Sequence, residues 1–115
     1  MMILCVDDEP LGLQVRKMLL EYKGYEVLTA LNGPEGLQLF ADNPIQAVVL
    51  DYAMPGMNGD EVAAEMKRLK PGVKILLLSA YVDFPEEALK CVDKRAVKGV
   101  APTAFLEDLQ QLLAC

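Results

Sequence analysis

Residues 47–78 read AVVLDYAMPGMNGDEVAAEMKRLKPGVKILLL, and this stretch decides the fold. It begins with an apolar run, Ala47 to Leu50, and ends with a second one, Val73 to Leu78. Between them, residues 59–69 carry apolar side chains at helical spacing, and Lys70-Pro71-Gly72 is typical of a helix end. A strand, a helix and a strand in this order predict two parallel strands joined by a crossover helix.

The same alternation extends to both ends of the chain. Apolar segments predict five strands: Met2 to Val6, Tyr25 to Ala30, Ala47 to Leu50, Val73 to Leu78, and Ala96 to Val97. Amphipathic segments predict five helices, which begin at Pro10, after Asn32-Gly33, at Gly59, at Pro85 and at Pro102. The second strand is more polar, as expected at a sheet edge. We therefore predict one α/β domain with a parallel sheet and helices on both faces.

The spacing of apolar residues also predicts which helix faces point inward. For the first helix, which Gly24 ends, the predicted face comprises Leu11, Val15, Met18, Leu19 and Tyr22. For the third helix it comprises Val62, Met66 and Leu69. For the last helix it comprises Phe105, Leu109, Leu112 and Leu113.

Composition narrows the possible functions. With 115 residues, 53% of them hydrophobic, the chain can bury a core without a disulfide or a structural metal. The formal net charge of −6 disfavours direct contact with nucleic acid or an anionic membrane surface. The chain has no histidine, which excludes Ser-His-Asp and Cys-His catalysis and any histidine-ligated metal.

The cysteines and the N-terminus indicate the cellular compartment. Cys5, Cys91 and Cys115 are widely spaced and form no CxxC motif, so neither a disulfide framework nor a zinc site is predicted. Cys5 is expected to be buried, whereas Cys115 is expected to be an exposed thiol. Residues 1–10 (MMILCVDDEP) reach acidic residues too early for a signal peptide. We expect a soluble protein in a reducing cytoplasm.

Polar side chains follow three of the predicted strands. Asp7-Asp8-Glu9 follows the first strand, Asp51 the third and Ser79 the fourth. Parallel strands place these residues at one edge of the sheet, where such sheets bind ligands. Clustered carboxylates repel one another, so we expect a cation, and oxygen ligands favour magnesium over zinc. The acids after the first strand have an alternative role, which is to offset the dipole of the following helix.

Together these motifs resemble the bacterial response-regulator receiver domain. The resemblance rests on CVDDEP (residues 5–10), VVLDYAMPGMNG (residues 48–59), LLLSA (residues 76–80) and Lys98, and it covers the whole chain as a single domain without an effector. It implies a flavodoxin-like (CheY-like) sheet of order 2-1-3-4-5. It also implies a phosphorylation switch of a two-component phosphorelay, which is not an enzyme but assists its own phosphorylation and dephosphorylation.

The resemblance further implies roles for the acidic residues. Asp51 would accept a phosphoryl group from a sensor histidine kinase or a histidine phosphotransfer protein. Mg²⁺ would be held by Asp8, by Asp7 through a water, by Asp51 and by the backbone carbonyl of Ala53. The partners would include an unknown output protein, without nucleic acid or membrane, and the chain would be a monomer or weak homodimer.

The resemblance assigns the phosphoryl contacts to two further residues. The Ser79 hydroxyl would hydrogen-bond the phosphoryl group, and the Lys98 ammonium would pair with it. Lys94 is the alternative to Lys98, but Pro102 and the last helix follow Lys98 at the expected distance.

Near this lysine the sequence departs from the family pattern. Gly99 stands where proline is usual, and Arg95 stands where an aromatic residue is usual. Because a buried unpaired guanidinium is costly, we expect Arg95 to stay at the surface and Tyr81 or Phe84 to be the ring that moves on activation.

Two other functions remain possible from the residues. A phosphatase or phosphotransferase with an aspartyl-phosphate intermediate would carry a DxD motif, but Asp51-Tyr52-Ala53 lacks the second acid. An FMN-binding protein would need a phosphate-binding loop after the first strand, where Asp7-Asp8 would repel the phosphate.

Overall fold

The computed structural model describes residues 1–80, 90–99 and 101–114, which contain one parallel sheet of order β2-β1-β3-β4-β5. Its strands are β1 (Met2–Val6), β2 (Glu26–Ala30), β3 (Ala47–Asp51), β4 (Lys74–Ser79) and β5 (Lys94–Val97). The helices in these ranges are α1 (Pro10–Tyr22), α2 (Gly33–Asp42), α3 (Gly59–Leu69) and α4 (Pro102–Ala114). The predicted α/β class and strand order are confirmed. The helix predicted at Pro85, and Cys115, lie outside the described residues.

The core forms two layers because successive side chains of a strand point to opposite faces of the sheet. The first layer packs α2 and α3 against the sheet and includes Leu4, Val6, Phe40, Val48, Leu50, Val62, Met66, Ile75 and Leu77. The second layer packs α1 and α4 against the other face and includes Ile3, Cys5, Leu13, Leu20, Val49, Leu76, Leu78, Phe105 and Leu109. All five residues of β3 are buried, which explains why this strand is apolar on both faces.

The predicted inward face of α1 is wrong. Four of its residues are exposed: Leu11 (79%), Val15 (47%), Met18 (60%) and Tyr22 (87%). The buried positions are Leu13 and Leu20, and Arg16 lies between them on the same stripe at helical spacing. Because the buried stripe contains a charged residue, it looks less hydrophobic in the sequence than the exposed stripe. The apolar spacing therefore predicts burial of the wrong face.

The other helix faces agree better with the sequence prediction. In α3, Val62 and Met66 are buried as predicted, but Leu69, the last residue of the helix, is 42% exposed. In α4, Phe105, Leu109 and Leu112 are buried and Leu113 is partly buried against the same layer. None of the described helices α1 to α4 combines the length and the apolar character that a membrane span would require.

Candidate functional site

Three carboxylates meet at the carboxyl edge of the sheet. Asp7 follows β1 directly, Asp8 is the next residue, and Asp51 is the last residue of the neighbouring strand β3. One oxygen from each of the three lies within 4.8 Å of the others. Asp7 and Asp51 are 1% and 3% exposed, whereas Asp8 is partly exposed. This all-oxygen set fits a hard divalent cation that reaches the site from the side of Asp8.

Lys98, which follows β5, bridges the acids. Its Nζ lies 3.1 Å from Asp51 Oδ2, 3.0 Å from Asp7 Oδ2 and 3.3 Å from Glu9 Oε1. The alternative, Lys94, points away from the site, since its Nζ contacts Asp108 and Gln111 of α4. The structure thus brings Lys98, and not Lys94, to the carboxylate of Asp51.

The backbone around Asp51 is tightly packed. The Gly59 N–H donates to the Tyr52 carbonyl at 2.7 Å, and a Cβ at Gly59 would lie only 2.4 Å from the Asp51 carbonyl oxygen. The Tyr52 N–H donates to the Leu78 carbonyl at 2.8 Å. Glycine is therefore required at the start of α3, because only a residue without a side chain lets this helix lie against the end of β3.

Ser79 and Ala53 lie at the same edge of the sheet. Ser79 is the last residue of β4, which pairs with β3, and it is 2% exposed. Its carbonyl accepts the Lys98 N–H at 2.7 Å, so the strand end that carries Ser79 also positions Lys98. Ala53 lies two residues beyond Asp51, in the exposed turn before α3. The contacts predicted for the Ser79 hydroxyl and the Ala53 carbonyl stay predictions.

Burial and charge shift the two buried acids in opposite directions. Burial and, next, the charge of Asp7 raise the pKa of Asp51 from 3.8 to about 6, because Lys98 offsets only part of their effect. Burial also acts to raise the pKa of Asp7, but the Glu9 N–H, Lys98 and Arg16 outweigh it, and the pKa lies below its ordinary value. Negative charge at Asp51 is thus incompletely compensated, which favours a further cation beside it.

Arg16 joins the site although the sequence patterns assign it no role there, and Glu9 of the predicted acid cluster contacts Asp7 and Lys98. The guanidinium of Arg16 bonds Asp7 Oδ2, and the Glu9 N–H donates to Asp7 Oδ1 at 3.0 Å. The one signal for Arg16 in the sequence is its place between Leu13 and Leu20, at helical spacing on a stripe that would otherwise be apolar.

The structure shows how the chain accommodates Gly99 and Arg95, which stand where the family usually has proline and an aromatic residue. Gly99 adopts a φ of 81°, which proline cannot adopt because its ring holds φ near −65°. Arg95 is exposed, in agreement with the expectation that its guanidinium stays at the surface. Tyr81 and Phe84 lie outside the described residues, so their predicted movement stays a prediction.

Comparisons with known proteins identify the family. The sequence model of the response regulator receiver domain matches residues 3–114, and the chain belongs to this family. A receiver domain protein from Methanospirillum hungatei has a similar structure, with a TM-score of 0.91 and 30% identity, over 98% of this chain and 93% of that one. The chain is therefore a receiver domain of a response regulator, which is a signalling switch of two-component systems.

Two further response regulators are similar to this chain. The response regulator TrrA of Thermotoga maritima, crystallised with Mg²⁺-BeF, is 38% identical with a TM-score of 0.90, over 96% of this chain and 97% of that one. TrrA has also been crystallised with the histidine kinase ThkA. The response regulator SaeR of Staphylococcus aureus is 38% identical over 68% of this chain. The chain spans only 19% to 37% of the length of its first curated relatives.

Proposed function

We propose that Asp51 is the phosphoacceptor of this receiver domain. The observation that carries the proposal is the position of its carboxylate, buried at the end of β3 with Lys98 Nζ at 3.1 Å and the carboxylates of Asp7 and Asp8 beside it. A carboxylate oxygen attacks phosphorus, the bond from phosphorus to the donor nitrogen breaks, and the donor imidazole leaves with that electron pair. The product is an acyl phosphate on Asp51.

Mg²⁺ is the cation that best suits this site. Asp7, Asp8, Asp51 and the Ala53 carbonyl would hold it, since these oxygen ligands match a hard ion and one side of the site stays open to water. When bound, the ion shields the negative charges that a carboxylate and a phosphoryl group bring together. The Mg²⁺-BeF complex of TrrA supports this choice by similarity.

Lys98 and Ser79 complete the proposed phosphoryl site. Before phosphorylation, Lys98 Nζ pairs with Asp51 Oδ2. A phosphoryl group on that oxygen could pair with the same ammonium without a large movement of the Lys98 side chain. The Ser79 hydroxyl would donate to another phosphoryl oxygen from the adjacent strand end. Both residues stabilise charge on Asp51, so the chain assists its own phosphorylation and dephosphorylation and acts as a switch rather than an enzyme with a separate substrate.

The phosphodonor is proposed to be a histidine kinase or a histidine phosphotransfer protein that docks on α1. A donor must cover the surface beside Asp51. The helix that follows the acid cluster, α1, exposes an apolar stripe that comprises Leu11, Val15, Met18 and Tyr22. A cavity of about 430 Å³ adjoins this stripe, with Leu11, Val15, Phe105 and Lys98 among its lining residues. An amphipathic donor helix would bury the stripe while its phosphohistidine reaches Asp51.

The remaining proposals concern the cellular setting. Free thiols at Cys5 and Cys91 fit the reducing cytoplasm. The net charge of −6 argues against direct binding of nucleic acid or a membrane surface, and we propose a monomer or weak homodimer. Within residues 1–115 we propose a single receiver domain with no effector.

Phosphorylation by acetyl phosphate tests the proposed site. Wild-type protein with Mg²⁺ should gain the mass of one phosphoryl group, and base should remove it because acyl phosphates hydrolyse readily in base. Asp51→Asn should gain no phosphoryl group. Asp8→Ala should lose Mg²⁺ binding in calorimetric titrations. As a control, Asp42→Asn alters an exposed acid of α2 and should behave as wild type. A phosphoryl mass on folded Asp51→Asn would contradict the proposal.

A further inference from the structure

Arg16 occupies a core-facing position of α1 and reaches into the acid site. It lies between the buried residues Leu13 and Leu20, and its own side chain is 15% exposed. A guanidinium in such a position is costly unless a charge compensates it, and its partner is the buried carboxylate of Asp7. Arg16 therefore belongs to the charge balance of the site although it lies on a helix rather than at a strand end.

Both oxygens of Asp7 are already engaged. Oδ1 accepts the Glu9 N–H at 3.0 Å, while Oδ2 contacts the Arg16 guanidinium and also Lys98 Nζ at 3.0 Å. The buried Arg16 Nε has no hydrogen-bond partner among the described residues, so the pairing relies on one side of the guanidinium. A cation that enters between Asp7, Asp8 and Asp51 thus meets a carboxylate oxygen that two positive charges share.

We propose that Arg16 is an internal counter-ion that competes with the divalent cation for Asp7 and so lowers the cation affinity of the phosphoacceptor site. The inference rests on the proposed function, since it concerns the metal of that site. When the cation binds, the guanidinium either leaves Asp7 or stays and repels the cation. Either event opposes binding, so Arg16 acts as a positioning residue that tunes the metal site without touching the phosphoryl group.

The size of the effect follows from Coulomb's law. A divalent ion about 6 Å from a guanidinium is repelled, even at the dielectric constant of water, by an energy that corresponds to a change of about tenfold in affinity. Removal of the charge at Arg16 should therefore tighten Mg²⁺ binding about tenfold. A lysine at this position keeps the charge, so Arg16→Lys should bind Mg²⁺ within about threefold of wild type.

Calorimetric titration of Mg²⁺ into the full chain tests the inference. Arg16→Met and Arg16→Gln remove the charge, and methionine suits the stripe between Leu13 and Leu20. The matched control is Arg68→Gln, which removes the same charge from an exposed arginine in the last turn of α3. Arg68→Gln should leave the Mg²⁺ affinity within about twofold of wild type, because solvent and distance screen its charge.

The outcomes separate the inference from the proposed function. Tighter Mg²⁺ binding in both neutral variants, with Arg16→Lys near wild type, supports it. Unchanged or weaker binding in folded neutral variants overturns it, because Arg16 would then only hold Asp7 in place. If a variant is too unstable for calorimetry, the rise in Tm on adding Mg²⁺ is measured instead. This rise should be larger in Arg16→Met than in wild type. An equal or smaller rise overturns the inference. Wild-type protein without Mg²⁺ binding would overturn the proposed metal site and the inference together.

Discussion

Replacement of Asp51 by asparagine is predicted to make the metal-free protein more stable. The Asp51 side chain is 3% exposed, and burial together with the charge of Asp7 raises its pKa from 3.8 to about 6. In the unfolded chain the pKa returns to its ordinary value, so at pH 7 the folded state holds a carboxylate that its surroundings disfavour. Asparagine keeps the shape of the side chain and removes the charge.

The magnitude follows from the pKa shift. A rise of about 2 units corresponds to about 3 kcal/mol, at about 1.4 kcal/mol per unit. Solvent at the open edge of the site screens part of this energy, so we expect the free energy of unfolding to increase by about 1 to 2 kcal/mol. Because the folded-state pKa is the higher one, the cost of ionised Asp51 is fully present above pH 6 and disappears as the pH falls from 6 to 3.8.

Urea denaturation followed by circular dichroism measures this difference. Wild type and Asp51→Asn are compared in EDTA at pH 7.5 and at pH 4.5, and the stabilisation should shrink at the lower pH. Asp42→Asn, a change of an exposed acid, should alter stability by less than about 0.5 kcal/mol at either pH. A variant that is no more stable than wild type at pH 7.5, or a gain that does not depend on pH, would refute the reasoning.

Three further predictions concern the surroundings of the site and the core. Gly59→Ala should cost about 3 kcal/mol of stability in denaturation experiments and lower phosphorylation, because its Cβ would lie 2.4 Å from the Asp51 carbonyl oxygen. The control is Gly72→Ala, whose Cβ would meet no atom within 4 Å. Lys70→Met should cost about 2 kcal/mol by the same assay, since Lys70 Nζ bonds the carbonyls of Phe40 and Asn43 at 2.7 and 2.8 Å. Burial raises the pKa of Cys5 to about 12, so its thiol should resist iodoacetamide at pH 8, as measured by peptide mapping. As the pH rises above 9, the thiol ionises in the unfolded chain before it does in the folded one, and the free energy of unfolding should therefore fall.

The sequence by itself determined the fold class, most strand positions and the residues that meet at the sheet edge. The apolar run of β3 between polar segments predicts a fully buried strand, and Asp51 at its end is predicted to face the ligand-binding edge. Asp7, Asp8 and Ser79 are predicted by the same rule, since parallel strands end at a common edge, whereas Lys98 is implied only by the resemblance to the receiver family. These predictions hold because they depend on order along the chain and on strand direction, which local sequence encodes.

Only the tertiary structure decided which face of α1 is buried and how the site is charged. Hydrophobic spacing favours the face of Leu11 and Met18, yet the buried stripe carries Arg16 because Asp7, a residue of another element, compensates its charge. The bridging of Asp7, Glu9 and Asp51 by Lys98 likewise joins residues up to 91 positions apart in the chain. A spacing rule treats a charged residue as solvent-exposed, and only the three-dimensional arrangement supplies the opposite charge that offsets the cost of its burial.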